Sequence, residues 1–202
     1  MPEINTFVFD LGGVLIDWNP DYVYCDFFDN RDDMQWFYDN ICTSEWNEQQ
    51  DAGRSLAEGT EMLVRRFPEH EKLIRVFYDR WEDMLGGPIS ESVEILRHLK
   101  SKYSIYALTN WSTETFPVAL DKFDFLHWFD GIVVSGEEKT RKPLPEIYQR
   151  LIERFGIKPE NSVFVDDKEY NLPPAKRLGF KTIHFKSPSQ FKSALNQMEI
   201  PF

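Results

Sequence analysis

Five short apolar runs along the chain predict buried β-strands. Each is rich in β-branched or aromatic residues and is short enough for a single strand; they span residues 4–9, 104–109, 131–135, 162–166 and 181–185. Helical periodicity separates the last four runs, at residues 114–122, 144–155 and 169–178, and a helical pattern at 90–101 leads into the second run. Alternation of this kind is typical of a parallel sheet with helices on both faces. We therefore predict an α/β fold whose core has three layers.

Residues 17–87 break this alternation. They contain no run typical of a strand and instead show four amphipathic helical patterns, at residues 21–28, 33–41, 56–67 and 70–85. Gly86, Gly87 and Pro88 then mark the return to alternating strands and helices. The pattern predicts a core domain of residues 1–16 and 88–202, interrupted by a helical-bundle cap domain of residues 17–87. Such an insertion after the first strand would lie over the carboxyl edge of the sheet like a lid.

Composition and charge narrow the classes of function. An apolar content of 42% is ample for a buried core, and the net charge of −11 repels nucleic acid and anionic membrane surfaces. No window reaches the roughly 18 apolar residues that a membrane span needs, and the first residues, MPEIN, show no signal-peptide pattern. We expect a soluble, cytoplasmic protein with no nucleic-acid or membrane partner. The aromatic-rich cap would allow either a monomer or a homodimer.

Asp10 follows directly after the first apolar run and precedes the glycine pair Gly12 and Gly13. A carboxylate at the carboxyl end of a strand, beside glycines that let the backbone approach a ligand, is typical of the site in an open α/β sheet. An aspartate that only caps the turn after the strand is the alternative interpretation.

Two further segments carry candidate phosphate ligands. Thr109 and Asn110 end the second run, where a hydroxyl and a backbone N–H can hold a phosphate oxygen. Lys142, followed by Pro143 before a predicted helix, could present a cation to a phosphate or to an aspartate. An ordinary strand-to-helix cap and a surface lysine are the alternative interpretations.

A pair of carboxylates, Asp166 and Asp167, ends the fourth run, and Asn171 follows about one helical turn later. Adjacent carboxylates at the end of a buried strand repel each other unless a cation compensates them. Magnesium is the hard, oxygen-seeking candidate, and a solvated acidic turn is the alternative. If the first and fourth strands are neighbours, Asp10 meets this pair where the strand order reverses, which is where such sheets bind ligands.

In this order, the segments FDLGGVL, ALTNWS, TRKPLPEIY and VFVDDKEYN closely resemble the motifs of the haloacid dehalogenase (HAD) superfamily, in the branch whose helical cap follows the first motif. The resemblance covers nearly the whole chain and implies a Rossmann-like core with an inserted cap. Within the superfamily, the chain is similar to the sugar phosphatases and to the phosphatase-like N-terminal domain of epoxide hydrolases.

The resemblance also implies roles for the candidate residues. Asp10 would be the nucleophile, and Lys142 would neutralise the charge of the nucleophile and the phosphate. Thr109 and Asn110 would hold the phosphate. Magnesium would be the cofactor and a small phosphorylated metabolite the partner. The metal group would comprise Asp10, the carbonyl of Gly12, Asp167 and Asp166, with Asn171 in support.

The chain departs from the superfamily at Gly12. Most phosphatases of the superfamily carry a second aspartate two residues after the nucleophile, where it serves as general acid and base. Its loss should cost about 10²- to 10⁴-fold in rate for a poor leaving group. A phosphatase that takes its acid from elsewhere or has an easily leaving substrate, a 2-haloacid dehalogenase-type carbon–halogen hydrolase, and a noncatalytic binding protein on the same scaffold are therefore the alternatives.

The pair Asp166 and Asp167 favours the first alternative. The dehalogenase branch typically has Ser and Asn at these positions and needs no metal, whereas a retained acidic pair indicates a metal and hence a phosphate. We expect a magnesium-dependent hydrolase of small, sugar-like phosphate monoesters that acts through an aspartyl-phosphate.

Two residues are candidates for substrate contacts outside the phosphate. Residues 46–54, WNEQQDAGR, predict a loop between cap helices, and such loops select substrates in capped sites. Arg54 could reach a polar substrate from this loop, with a solvated surface arginine as the alternative. Trp111, directly after Asn110, is a candidate for packing on the substrate.

Overall fold

A parallel five-stranded sheet forms the core of the protein, in a computed structural model that describes residues 3–202. The strands of the chain are β1 (Thr6–Phe9), β2 (Ile16–Trp18), β3 (Leu85–Pro88), β4 (Ser104–Thr109), β5 (Gly131–Val134), β6 (Ser162–Asp166) and β7 (Lys181–His184). The core sheet has the order β5-β4-β1-β6-β7, so β1 pairs in parallel with both β4 and β6. The predicted parallel α/β core is confirmed. The strands predicted at residues 4–9 and 162–166 are neighbours, which is the condition for Asp10 to meet the acidic pair.

Helices cover both faces of this sheet, as alternation along β1 illustrates. Phe7 and Phe9 face one apolar cluster, whereas Val8 faces the other, because successive side chains of a strand point to opposite faces. The first cluster includes side chains of α6 (Ser90–Lys100), α7 (Phe116–Lys122) and α11 (Pro188–Gln197). The second includes side chains of α9 (Pro145–Phe155) and α10 (Leu172–Arg177). A further short helix, α8 (Ser135–Glu138), directly follows β5. The core therefore has the three predicted layers.

Strands β2 and β3 form an antiparallel ribbon outside the core sheet. The prediction that residues 17–87 contain no strand was therefore wrong. The ribbon escapes the pattern because it is only three or four residues long on each side and its second strand reads LGGP, without apolar alternation. The predicted domain boundaries, at 16/17 and 87/88, both fall within this ribbon, and the division into domains stays a prediction.

The region between the two ribbon strands is helical. It comprises α1 (Asp21–Tyr24), α2 (Arg31–Asn40), α3 (Ser44–Asp51), α4 (Leu56–Arg66) and α5 (Glu71–Asp79). These helices pack around their own apolar cluster, in which Tyr24, Phe37 and Phe77 are almost fully buried. A cluster separate from those of the sheet agrees with the expected helical cap.

Two predictions of local structure in this region were wrong, one of a loop and one of a helix. The segment predicted as a loop, residues 46–54, lies mostly in α3, whose N-terminus is capped by the Thr43 hydroxyl accepting from the Trp46 N–H. The helix predicted for residues 70–85 ends at Asp79 and is followed by a 3₁₀ turn at Trp81–Met84. The first error arises because α3 is strongly polar and lacks a helical pattern of apolar residues. The second arises because the turn continues the helical spacing of apolar residues without the hydrogen bonds of an α-helix.

None of the helices in the described part of the chain combines the length and the apolar character that crossing a bilayer requires.

Phe7→Ala should lower the free energy of unfolding by about 3 to 5 kcal/mol, because Phe7 is fully buried and packs against the rings of Phe9 and Tyr103. Urea unfolding followed by circular dichroism measures this change. Phe27→Ala is the matched control; 44% of Phe27 is exposed, and the substitution should cost less than about 1 kcal/mol. Equal losses in the two variants would contradict the placement of Phe7 in the core.

Candidate active site

Three central strands end side by side at the carboxyl edge of the sheet. Asp10 follows β1 and Asn110 follows β4. Asp166 is the last residue of β6, and Asp167 comes directly after it. Because the three strands are parallel neighbours, residues that are far apart in the chain meet at one edge. This edge forms the floor of a cavity of about 480 Å³, whose lining includes Asp10, Gly12, Asn110, Trp111, Lys142, Asp167 and Asn171.

Lys142 is fully buried between two carboxylates. Its Nζ lies 2.9 Å from Asp10 Oδ1 and 2.7 Å from Asp166 Oδ2. Burial by itself would lower the pKa of the lysine, but the charges of the two carboxylates outweigh it, so that the pKa of Lys142 lies above its ordinary value. The lysine is therefore a charged component of the site, and the alternative of a surface lysine is wrong.

Side chains that follow β4 and β6 hold this lysine in place. The Asn110 amide donates from Nδ2 to the Lys142 carbonyl at 3.0 Å and accepts from the Lys142 N–H at 2.9 Å. Asn171 donates from Nδ2 to both oxygens of Asp166, at 2.9 and 3.1 Å. The side chain of Asn110 therefore positions the lysine, while Asn171 orients the carboxylate that the lysine binds.

Asp10, Asp166 and Asp167 could hold a metal ion. One oxygen from each lies within 4.8 Å of the other two. Burial, together with the charges of Asp166 and Asp167, raises the pKa of Asp10, whereas the charge of Lys142 opposes this effect. Three carboxylates with two lysines, Lys142 and the more exposed Lys168, leave a net negative charge, which a divalent cation would offset.

Two details of the backbone and side chains fit such an ion. Asn171 Oδ1 is buried and accepts no hydrogen bond from the residues that the structure describes, so an oxygen acceptor remains at the acidic group. A Cβ at Gly13 would lie 2.6 Å from Asp167 Oδ2, and the φ of Gly13 is +73°. Glycine at this position therefore lets Asp167 approach the loop after β1.

The other predicted phosphate and substrate residues lie in different surroundings. Thr109 is buried at the end of β4, next to Asn110. Trp111 lines the cavity and packs edge-on against Trp81 and Phe116. Of these two residues, the described cavity lining therefore includes Trp111 but not Thr109.

Arg54 is directed into the cap rather than into the cavity. Its Nε donates to Gln50 Oε1 at 2.6 Å, and its Nη2 donates to the Trp46 carbonyl at 3.1 Å. Arg54 is also absent from the described residues that line the cavity. The expectation that it reaches a substrate does not agree with these contacts, because the guanidinium instead braces α3.

The cap supplies a polar wall that the sequence did not reveal. Its cavity-lining side chains include Gln35, Asp39, Ser44, Asn47, Glu48 and Asp51. The last three all belong to α3, the helix predicted as a loop. Their spacing of three and four residues places them on one face of a helix, so the only signal in the sequence was a helical pattern of polar residues.

Comparison with known proteins agrees with this geometry. Residues 4–179 match the haloacid dehalogenase-like hydrolase family, and the chain belongs to that family of hydrolases. The predicted resemblance to HAD hydrolases is confirmed.

The chain is similar to proteins with more than one activity. It is 27% identical to a sesquiterpene phosphatase, AstK, of Aspergillus oryzae over 88% of this chain and 87% of that protein. It is 29% identical to an (S)-2-haloacid dehalogenase of Burkholderia cepacia over 52% of this chain and 47% of that protein. A HAD-family enzyme of Bacteroides thetaiotaomicron, solved in complex with magnesium and inorganic phosphate, superposes with a TM-score of 0.69 at 25% identity over 91% of this chain and 95% of that chain.

Lys142→Met should lower the free energy of unfolding by about 3 to 5 kcal/mol, because it leaves two buried carboxylates without their cation. Urea unfolding at neutral pH measures the loss. Lys168→Met is the matched control, since the Lys168 ammonium also contacts a carboxylate, Asp167 at 2.9 Å, but 56% of its side chain is exposed. The control should cost less than about 1 kcal/mol. A Lys142 variant as stable as the control would contradict the assignment of a buried ion pair.

Proposed function

We propose that the protein is a magnesium-dependent phosphatase that hydrolyses small phosphate monoesters through an aspartyl-phosphate on Asp10. The observation that carries this proposal is the close group of Asp10, Asp166 and Asp167 around one buried lysine. A group with this excess of negative charge suits a site that binds a divalent cation and a phosphate together.

We assign the metal ligands as Asp10, the carbonyl of Gly12 and Asp167, all of which line the cavity. Asp166 belongs to the same acidic group, but Lys142, Asn171 and the Lys168 N–H occupy its oxygens, so its role is to hold the lysine. When bound, magnesium would supply positive charge that offsets the charge of the transferring phosphoryl group.

The residues of the chain then divide the reaction between them. Asp10 attacks phosphorus in line with the ester oxygen, and a covalent intermediate splits the hydrolysis into two easier steps. Lys142 stabilises the charge on the phosphoryl oxygens from its fixed position beside Asp10. The Asn110 N–H, which follows the buried Thr109 at the end of β4, positions the phosphoryl group.

The acidic pair also distinguishes this proposal from a carbon–halogen hydrolase. A halide leaves without a proton and without a metal, so that reaction would leave the three clustered carboxylates with only two lysines among the described residues, Lys142 and Lys168, to offset their charge. The relatives include proteins of both activities, and their names alone do not separate the two. The charge of the site therefore supports phosphate over halide.

The cap wall supports an uncharged organic group with both apolar and hydroxyl parts, as in a sugar phosphate. The cap contributes amide, hydroxyl and carboxylate side chains together with aromatic rings such as Trp18, Phe77 and Tyr78, but no lysine or arginine among the described lining residues. Trp18 Nε1, a donor on the same lining, is buried and has no hydrogen-bond partner in the described part of the chain. A neutral, hydroxylated group would pair with this wall, whereas a second anionic group would meet repulsion.

Asp10→Asn should reduce phosphate release by at least about 10⁴-fold, because the amide cannot form the aspartyl-phosphate. The measurement is phosphate release from a panel of sugar phosphates and from 4-nitrophenyl phosphate, each with magnesium and with a chelator. Wild-type release should require magnesium. The matched control is Asp121→Asn, an exposed aspartate of α7, which should retain wild-type rates.

The outcomes separate the alternatives. Unchanged release by Asp10→Asn would refute the nucleophile. Chloride release from a 2-chloro acid without metal would replace the phosphatase by a dehalogenase. If the wild type binds magnesium but releases no phosphate from any substrate of the panel, a noncatalytic binding protein would replace the phosphatase as the proposed function.

A further inference from the structure

The proposed phosphatase lacks a proton donor on the loop after β1. Gly12 stands where a carboxyl group would reach the leaving oxygen, and apart from its chain neighbours no described residue has a heavy atom within 4 Å of the position that its Cβ would take. The space beside the nucleophile is therefore open. A proton donor for the leaving oxygen has to come from another wall of the cavity.

Few of the acidic side chains on the cavity lining are free for this role. Asp10 is the nucleophile, and Asp167 faces the metal group and lies 2.9 Å from the Lys168 ammonium. Glu48 forms an ion pair with Arg141 at 2.7 Å, so its carboxylate already has a cationic partner.

Two cap carboxylates remain on the lining, Asp39 and Asp51. Asp39 is exposed on α2 and accepts from Gln35 at 2.9 Å, so it is in contact with solvent. Asp51 ends α3 close to the core, where the charge of Asp10 acts on it. Of the described acidic residues of the cap on this lining, Asp51 is therefore the partly buried one that has no cationic partner in direct contact.

A hydrogen bond to the core holds the backbone at Asp51, while its carboxylate accepts from Asn47 Nδ2 within α3 at 3.4 Å. Ser135 Oγ donates to the Asp51 carbonyl and accepts from the Trp111 N–H at 2.9 Å. The end of α3 is thus attached to the segment that follows Asn110, which carries the proposed phosphate-binding N–H.

Glycines allow this close approach. A Cβ at Gly136 would lie 2.8 Å from the Thr113 nitrogen and from the Trp111 carbonyl oxygen. Gly53, just after α3, has a φ of +100°, and its Cβ would lie 3.1 Å from the Gly136 carbonyl. Larger side chains at these positions would push α3 away from the sheet edge. The local backbone is therefore suited to hold Asp51 against the core.

We propose that Asp51, a residue of the cap, is the general acid and general base of the phosphatase, in place of the side chain missing at Gly12. This assignment rests on the proposed function. In the first step, an Asp10 oxygen bonds to phosphorus, the bond from phosphorus to the ester oxygen breaks, and that oxygen takes the proton of the Asp51 carboxyl group. In the second step, the Asp51 carboxylate takes a proton from water as the water oxygen bonds to phosphorus. The bond from the Asp10 oxygen to phosphorus breaks. This step releases phosphate and restores the Asp10 carboxylate and the protonated Asp51 carboxyl group.

The electrostatics of Asp51 agree with this role. Burial, the nearby charge of Glu48 and the charge of Asp10 raise the pKa of Asp51 to about 7, although Arg141 and the Ser112 N–H oppose the rise. An acid with a pKa near neutrality can both give and regain a proton during turnover. An ordinary exposed aspartate would be almost fully ionised at the same pH.

Asp51→Asn should slow the formation and the hydrolysis of the phosphoenzyme to different extents. Comparing substrates with poor and good leaving groups shows which of these steps limits the rate. With an alkyl phosphate, a poor leaving group, steady-state release should fall by about 10²- to 10⁴-fold. With 4-nitrophenyl phosphate, whose leaving group needs no proton, the first step should stay fast while water attack is slow. Stopped-flow absorbance should then show a burst of about one equivalent of nitrophenolate per enzyme, and the phosphoenzyme should accumulate on Asp10.

Glu45→Gln is the matched control, because Glu45 lies on α3, is exposed and is not on the cavity lining. It should show wild-type rates and no burst. Thermal unfolding of each variant reports whether the fold is retained.

The outcomes distinguish this assignment from the proposed function. Equal losses on both esters without a burst, or no loss on either, would overturn the role of Asp51 while leaving the phosphatase in place. Failure of the wild type to release phosphate from either ester would overturn both proposals.

Discussion

The rest of the site depends on one buried cation, Lys142, held between Asp10 and Asp166. Three charged groups removed from water are stable only if their geometry is tight and their remaining hydrogen-bonding atoms are satisfied. Asn110 meets this condition for the lysine backbone and Asn171 for Asp166. Since these residues follow different strands, the parallel order of β4, β1 and β6 is what makes the ion pairs possible.

The cap completes the cavity through α3. This helix both contacts the core and contributes polar side chains to the cavity lining. An ion pair between Glu48 and Arg141 at 2.7 Å and a hydrogen bond from the Leu56 N–H to Glu114 at 2.7 Å tie the cap to the core. The same helix contributes Asn47 and Asp51 to the cavity that Asp10 also lines. Because both links are short, groups on the cap can be held in fixed positions relative to groups on the sheet. A site divided in this way lets the core supply the phosphoryl chemistry while the cap contacts the rest of the substrate.

How far the sequence predicts the structure differs between the core and the cap. The central strands β1 and β6 were predictable because they are buried on both faces and therefore largely apolar, and each leads into a distinctive polar residue, Asp10 or Asp166. Helix α3 was not, because a strongly polar helix lacks the apolar periodicity on which the prediction relies. The ribbon of β2 and β3 escaped for a different reason: Gly86 and Gly87 carry no pattern, and the pairing joins segments about 70 residues apart.

By itself, the sequence determined the α/β core, the strands that carry Asp10, Asn110 and Asp166, and the residue types available for the chemistry. It did so because strand periodicity and residue type are local properties of the chain. Only the tertiary structure decided the order of the strands in the sheet, that Lys142 is buried rather than exposed, that Arg54 braces the cap, and that Asp51 and Asp10 line the same cavity. Those outcomes depend on which side chains from distant segments share one enclosed space, where burial and neighbouring charges set the protonation of each group.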